Sequence, residues 1–195
     1  MSFLEQFFAI ARNTFQESIR QPVLFVIAVT GTIFIVLSLA LATFTLQSDQ
    51  QMFIDIGLSS VFLAGVIGAA FISTHVLTQE IENRTVLTVV SKPVPRPLFI
   101  LGKFMGTGMS ILVLMTYLSL VFMIVEVHGS LETVSTKYHM PAIVFGVSGA
   151  IIGVGAGIWC NFFYGWTFGS TTLLILVPIM GLVYILSLVF GREWG

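Results

Sequence analysis

Long apolar stretches separated by short polar segments dominate the chain. A helix that crosses a membrane needs about 20 predominantly apolar residues. Five stretches of roughly that length lie near residues 22 to 46, 57 to 78, 99 to 125, 141 to 161 and 168 to 190. The pattern therefore predicts an all-α, polytopic membrane protein with about five transmembrane helices.

The first 21 residues follow a different pattern. Apolar residues recur there at steps of three and four: Leu4, Phe7, Phe8, Ala11, Phe15 and Ile19. Charged and amide side chains fill the positions between them: Glu5, Arg12, Asn13, Gln16, Glu17 and Arg20. This periodicity predicts an amphipathic helix, which we expect to lie flat in the headgroup region over residues 1 to 21. Pro22 then permits a turn into the first span. The alternative is a plain cytosolic extension of that span.

The fourth and fifth spans are separated only by residues 161 to 167. Four of these residues are aromatic, the kind of side chain that settles at a membrane interface: Phe162, Phe163, Tyr164 and Trp166. The segment predicts a short interfacial connection. A merged, broken pair of helices is the alternative.

Composition agrees with a membrane protein. Hydrophobic residues make up 56% and charged residues 9%, with a mean hydropathy of +1.02, whereas soluble domains carry roughly 25% charged residues. A net charge of −1 offers no basic footprint for nucleic acid. The single cysteine, Cys160, excludes an internal disulfide and a cysteine-based metal cluster. It is expected to be a small packing residue.

Basic residues are unevenly distributed. They precede the first span and lie between the second and third: Arg12, Arg20, Arg84, Lys92, Arg96 and Lys103. The loop at 47 to 56 has none, and the loop at 126 to 140 has only Lys137. By the positive-inside rule, the N-terminus and the 79 to 103 segment are expected on the cytoplasmic side of the inner membrane. An odd number of spans would leave residues 192 to 195 outside, so we expect a truncated chain or a missing span.

No catalytic, cofactor or metal site is expected. The first two spans contain no Asp, Glu, Lys or Arg, which disfavours an ion-coupled carrier because such carriers keep a charge near the mid-plane. His75 is expected to be hydrogen-bonded between helices or at the membrane interface; the alternative is a polar contact on a transport path. His128, Glu132 and His139 have no spacing that specifies metal geometry. Gly102-Lys103 lacks the rest of a phosphate loop, so this chain is not expected to hydrolyse ATP.

Small residues indicate close helix packing. Gly149, Gly153 and Gly157 recur at four-residue steps, and Gly102 and Gly106 do the same. Such spacing lets helix backbones approach closely, either within one subunit or at a subunit interface or moving seam. Pro178 in the fifth span is a possible hinge, because proline removes a backbone donor.

The segment from 79 to 97 concentrates charge between two apolar runs. Glu80, Glu82 and Arg84 follow the second span, and three prolines stiffen the approach to the third: Pro93, Pro95 and Pro97. A stiff, charged connection between two spans is suited to transmitting a mechanical force from a cytosolic partner to the transmembrane helices. The alternative is a solvated loop whose charges only set topology.

Several motifs occur in a characteristic order. An amphipathic helix and two spans precede Glu-Ile-Glu-x-x-Thr at 80 to 85, then Ser-Lys-Pro-Val-x-Arg and Leu-Gly-Lys-Phe. Over essentially its whole length, the chain resembles the permease subunit of type-2 ATP-binding-cassette transporters, the ABC-2 permeases. The resemblance implies that residues 3 to 20 form a connecting helix and 80 to 90 a coupling helix docked on an ATPase. It assigns coupling to these positions: Glu80, Glu82, Thr85, Lys92 and Arg96. Arg84, also assigned to coupling, stands where a small residue is common.

The resemblance implies a permease subunit, without a cofactor of its own, in an ATP-driven exporter. A separate ATPase subunit would bind ATP, and a second permease, identical or related, would complete the pathway. These permeases generally have six spans, and the sixth is absent here. The alternatives are a non-transporting membrane scaffold or assembly factor and an ion-coupled secondary transporter. We expect one membrane domain over residues 1 to 195; the sequence does not indicate the substrate.

Overall fold

The structure is a computed structural model that describes residues 3–42, 49–82, 95–130 and 140–191. Within these ranges it contains six helices and no strand. They are α1 (Phe3–Ile19), α2 (Pro22–Ala42), α3 (Asp49–Glu82), α4 (Arg96–Ser130), α5 (Met140–Tyr164) and α6 (Phe168–Gly191). The prediction of an all-α, polytopic architecture is confirmed.

Helices α2 to α6 are each long and apolar enough to cross a membrane. The five candidate spans are Pro22–Leu39, Gln51–Gln79, Pro97–Val127, Pro141–Tyr164 and Phe168–Phe190. The second and third are longer than the sequence pattern predicted, because helical hydrogen bonding continues into polar residues at both ends. At 1.5 Å per residue, α3 and α4 are each about 50 Å long, against about 30 Å for the hydrocarbon core. Both helices therefore project beyond the membrane.

Ring contacts, together with the contacts made at helix glycines, show that the five spans alternate in direction. Phe25 at the start of α2 lies 5.2 Å from Phe168 at the start of α6, measured between ring centroids. At the opposite end, Phe53 stacks on Phe122 at 5.3 Å. Helix α1, the end of α3 and the start of α4 lie on the Phe25 side. We call this side the α1 end and the opposite side the far end.

Helix α4 forms the centre of the bundle, since it packs against every other helix. Leu114 and Leu118 in its middle are fully buried. Gly68 of α3 lies against Leu114, and Gly31 of α2 lies against Leu118. Close approach at these two glycines lets the leucines fill the space between the three helices.

Helices α5 and α6 form a tight antiparallel hairpin. Gly165 in the connection has a φ of 65°, a left-handed conformation that glycine adopts without steric cost. The Asn161 side chain donates a hydrogen bond of 2.6 Å to the Trp166 carbonyl oxygen across the turn. The connection is therefore a defined turn between two separate helices, as opposed to a merged pair.

Candidate functional site

The last turn of α3 carries two of the predicted coupling residues. The apolar span closes at Gln79, and the helix continues to Glu82, so Glu80 and Glu82 occupy its final turn. Their side chains lie outside the described set, as does that of Arg96, whose backbone begins α4. Arg84, Thr85 and Lys92 lie outside the described residues altogether. Their coupling role stays a prediction.

Helix α1 lies directly on the start of α4. Gly106 of α4 faces the α1 backbone at Ala11 and Phe15, and Gly102 faces Ile10. The Ser110 hydroxyl donates hydrogen bonds of 3.3 Å to the carbonyl oxygens of Phe15 and of Gly106. The two glycines thus allow a close contact within one subunit, between the amphipathic helix and the third span.

The buried side of α1 consists mainly of small residues. Ala11, Thr14, Ser18 and Ile19 are almost completely buried, whereas Leu4 and Phe8 remain 64% and 65% exposed. Thr14 lies over Gly106 and Ile10 lies over Gly102, while Leu4 and Phe8 are directed away from the bundle. The apolar face predicted from the sequence is therefore divided: one part packs on protein, and the other is free to enter lipid.

A polar cleft of about 790 Å³ separates the C-terminal half of α1 from the end of α3. Its walls carry charged, imidazole and amide side chains, among them Asn13, Glu17, Arg20, His75 and Gln79. The Gln79 side-chain oxygen is buried and has no hydrogen-bond partner among the described residues. His75, predicted to contact a neighbouring helix or a transport path, is exposed on this cleft. Gln79, which lines the cleft, is the residue immediately before Glu80 in α3.

The second predicted glycine series lies inside the α5–α6 hairpin. Positions 149, 153 and 157 face Val183, Leu176 and Thr172 of α6, respectively. A Cβ on Gly157 would overlap the Thr172 hydroxyl. Pro178 lies in α6, which remains helical to Gly191, and its ring is exposed. These contacts are within one subunit; a hinge at Pro178 stays a prediction.

Two features escaped the sequence analysis. Gly57, Gly65 and Gly68 of α3 face Phe122, Met115 and Leu114 of α4, and their spacing of eight and three residues could have shown a common helical face. The Tyr117 hydroxyl also pairs with Thr32 at 3.0 Å. No sequence pattern could have shown that pair, because 85 residues separate its members.

Metal ligands do not cluster in the described ranges, where no group of three His, Cys, Asp or Glu residues is placed to hold an ion. The loop residues Glu132 and His139, and the side chain of His128, lie outside those ranges. A metal site on the three therefore has no described geometry.

Comparison with protein families decides the family. The family model described as ABC-2 family transporter protein matches residues 8–190, which is nearly the whole chain. The protein belongs to the ABC-2 family. No curated protein and no solved structure matches it.

Membership of the ABC-2 family bears on the α1 end of the bundle, where the cleft lies. ABC-2 permeases are membrane components that typically lack an ATPase site, and they work in general with an ATPase subunit. The predicted resemblance to the ABC-2 permeases is confirmed. In this ABC-2 protein α1 packs on the start of α4 and faces the end of α3 across the cleft.

Proposed function

We propose that this chain is the permease subunit of an ATP-driven exporter. A separate ATPase subunit binds and hydrolyses ATP, and a second permease copy or a related permease completes the pathway. This chain performs no covalent chemistry. Its contribution is mechanical: it receives a push at the segment from 79 to 97 and converts it into movement of its transmembrane helices.

The observation that carries this proposal is the continuity of helix from the membrane into the coupling motif. Helix α3 runs without a break from Asp49 to Glu82. A force applied at Glu80 or Glu82 therefore acts on the whole span, because a helix with its backbone hydrogen bonds intact moves as a rigid element. The first three residues of the motif, 80 to 82, therefore belong to the same helix as the span.

Helix α1 extends the same argument to α4. Its contacts with Gly102 and Gly106 hold it on the start of α4, and its polar side faces the end of α3 across the cleft. Movement of the 79 to 97 segment would therefore shift α3, α4 and α1 together. The orientation that this requires, with the α1 end in the cytoplasm, agrees with the positive-inside rule for Arg12, Arg20 and Lys103.

Replacing Glu80 and Glu82 together by Ala tests the proposal. The full-length protein is purified with the ATPase that co-purifies with it and is reconstituted into vesicles. We expect the double variant to lose the ATPase partner or to lose ATP-dependent transport, since both carboxylates belong to the proposed contact. Glu126→Ala, at the far end of α4, is the matched control and should retain both properties. Unchanged assembly and transport in the double variant would reject the coupling role.

A further inference from the structure

An open cavity of about 290 Å³ lies between α2, α4, α5 and α6. Its walls are almost entirely aliphatic, with Val121, Ile124 and Met180 among the buried side chains. Among the described residues that line it there is no Asp, Glu, Lys, Arg or His. The walls therefore favour an uncharged occupant, because an unpaired charge in such surroundings is strongly penalised.

At one end of the cavity, the hydroxyl groups of Thr32 and Tyr117 form a hydrogen bond whose direction can be assigned. The Thr32 hydroxyl donates to the Ala28 carbonyl oxygen at 2.8 Å, so its only proton is used. Tyr117 must then be the donor in the 3.0 Å contact with Thr32. The Tyr117 oxygen keeps unused acceptor capacity beside the cavity. Thr32 lies ten residues, or about 15 Å, along α2 from Pro22, so the pair is near the middle of the membrane.

A space of this size does not remain empty in a close-packed protein without cost. Water is a poor occupant, since it needs two to four polar partners, and the side chains of the described lining residues supply only the Thr32–Tyr117 hydroxyl pair. The cavity is open towards the surroundings of the bundle: Val36 and Val147, which line it, are 53% and 55% exposed. A molecule dissolved in the bilayer could therefore enter between α2 and α5.

We propose that this cavity binds a small, uncharged aliphatic alcohol or a close chemical equivalent. The alkyl part packs against Val121, Ile124 and Met180, and the hydroxyl group donates a hydrogen bond to the Tyr117 oxygen. A single polar group near one end fixes orientation in an otherwise apolar site, as in many small-molecule pockets. The site needs neither ATP nor the ATPase, so it stands independently of the proposed transport function.

Photolabelling of the full-length protein in lipid nanodiscs tests the site. The probe is an octanol that carries a diazirine, and the matched probe is an octane with the same diazirine and no hydroxyl. We expect saturable labelling of peptides containing Val121, Val147 or Met180, competed by unlabelled octanol. The octane should need roughly threefold to tenfold higher concentration for half-saturation, which corresponds to the net contribution of one hydrogen bond.

Two variants separate recognition from packing. Tyr117→Phe removes the acceptor and keeps the ring, and Thr32 retains its bond to Ala28, so the fold should survive. We expect this variant to bind the octanol as weakly as the octane. Gly146→Leu places a side chain in the cavity and should abolish labelling there. Gly155→Leu is its control in the same helix, since a Cβ at this position meets nothing within 4 Å.

Equal half-saturation of wild-type protein by the two probes would overturn hydroxyl recognition, whether or not Tyr117→Phe folds. Labelling that persists in Gly146→Leu, or that spreads without saturation over the lipid-facing helices, would overturn the cavity as the site.

Discussion

Gly106 of α4 lies directly beneath Thr14 of α1. A Cβ atom on this glycine would stand 2.7 Å from the Thr14 Cβ and 2.5 Å from the Ala11 carbonyl oxygen. Real Cβ atoms essentially never come so close to other heavy atoms, and the Ala11 oxygen belongs to the backbone, so neither helix can yield by a simple side-chain rotation. The contact fixes how near the amphipathic helix can lie to the third span.

Gly106→Ala should therefore destabilise the protein. We expect a loss of about 1–3 kcal/mol, the usual cost of overpacking, measured as a lower unfolding midpoint in detergent. Gly108→Ala is the control, since nothing lies within 4 Å of its Cβ position. That change should be neutral or stabilising by up to about 1 kcal/mol, because alanine favours helix. Equal midpoints for the two variants would mean that α1 does not rest on α4 in this way.

Gly157 and Thr172 should be energetically coupled across the α5–α6 hairpin. Gly157→Ala introduces a clash with the Thr172 hydroxyl, which has no hydrogen-bond partner in the described part of the chain. We expect Thr172→Ala alone to cost little and to relieve the clash in the double variant. A double-mutant cycle on unfolding free energies should give a coupling of about 1–2 kcal/mol. Additive effects would contradict the packing, and Gly155→Ala serves as the uncoupled control.

Membrane sidedness should follow the basic residues. In a Cys160→Ala background, a membrane-impermeant maleimide added to intact cells should label Ser48→Cys. It should fail to label Ser91→Cys until the membrane is opened, since the positive-inside rule keeps the 79 to 103 segment in the cytoplasm. The reverse labelling pattern would place the coupling segment outside and end the proposed permease mechanism.

The exposed apolar residues of α1 should enter the lipid. Nitroxide labels at Phe8→Cys and Asn13→Cys, again without Cys160, report depth by their accessibility to oxygen and to a water-soluble nickel complex. We expect high oxygen accessibility at position 8 and high nickel accessibility at position 13, because they lie on different sides of the amphipathic helix. Similar values at the two sites would argue against an interfacial helix.

For the 79 to 97 segment, the sequence predicted the family but not the directions of the side chains. Its motif, with Glu80, Glu82 and Thr85, predicted the family that the comparison confirmed. Where its side chains point is not deducible from that motif, since it depends on the ends of α3 and α4 and on a partner. The polar cleft was missed altogether, because Arg20, in the turn after α1, and His75, in α3, are far apart in the sequence and line the same cleft only in the folded bundle.

Five helices able to span a membrane, and one amphipathic helix before them, could be predicted from the order of residues alone. The requirement for about 20 apolar residues per span is local, so it can be seen in any single stretch of the chain. Which helix faces meet could be seen only in the folded bundle. Lipid is as apolar as leucine, so hydrophobicity does not distinguish a buried face from a lipid-facing one. Which faces pack together depends on shape and on polar pairing. Gly106 leaves room for Thr14, and the Tyr117 hydroxyl forms a hydrogen bond with that of Thr32.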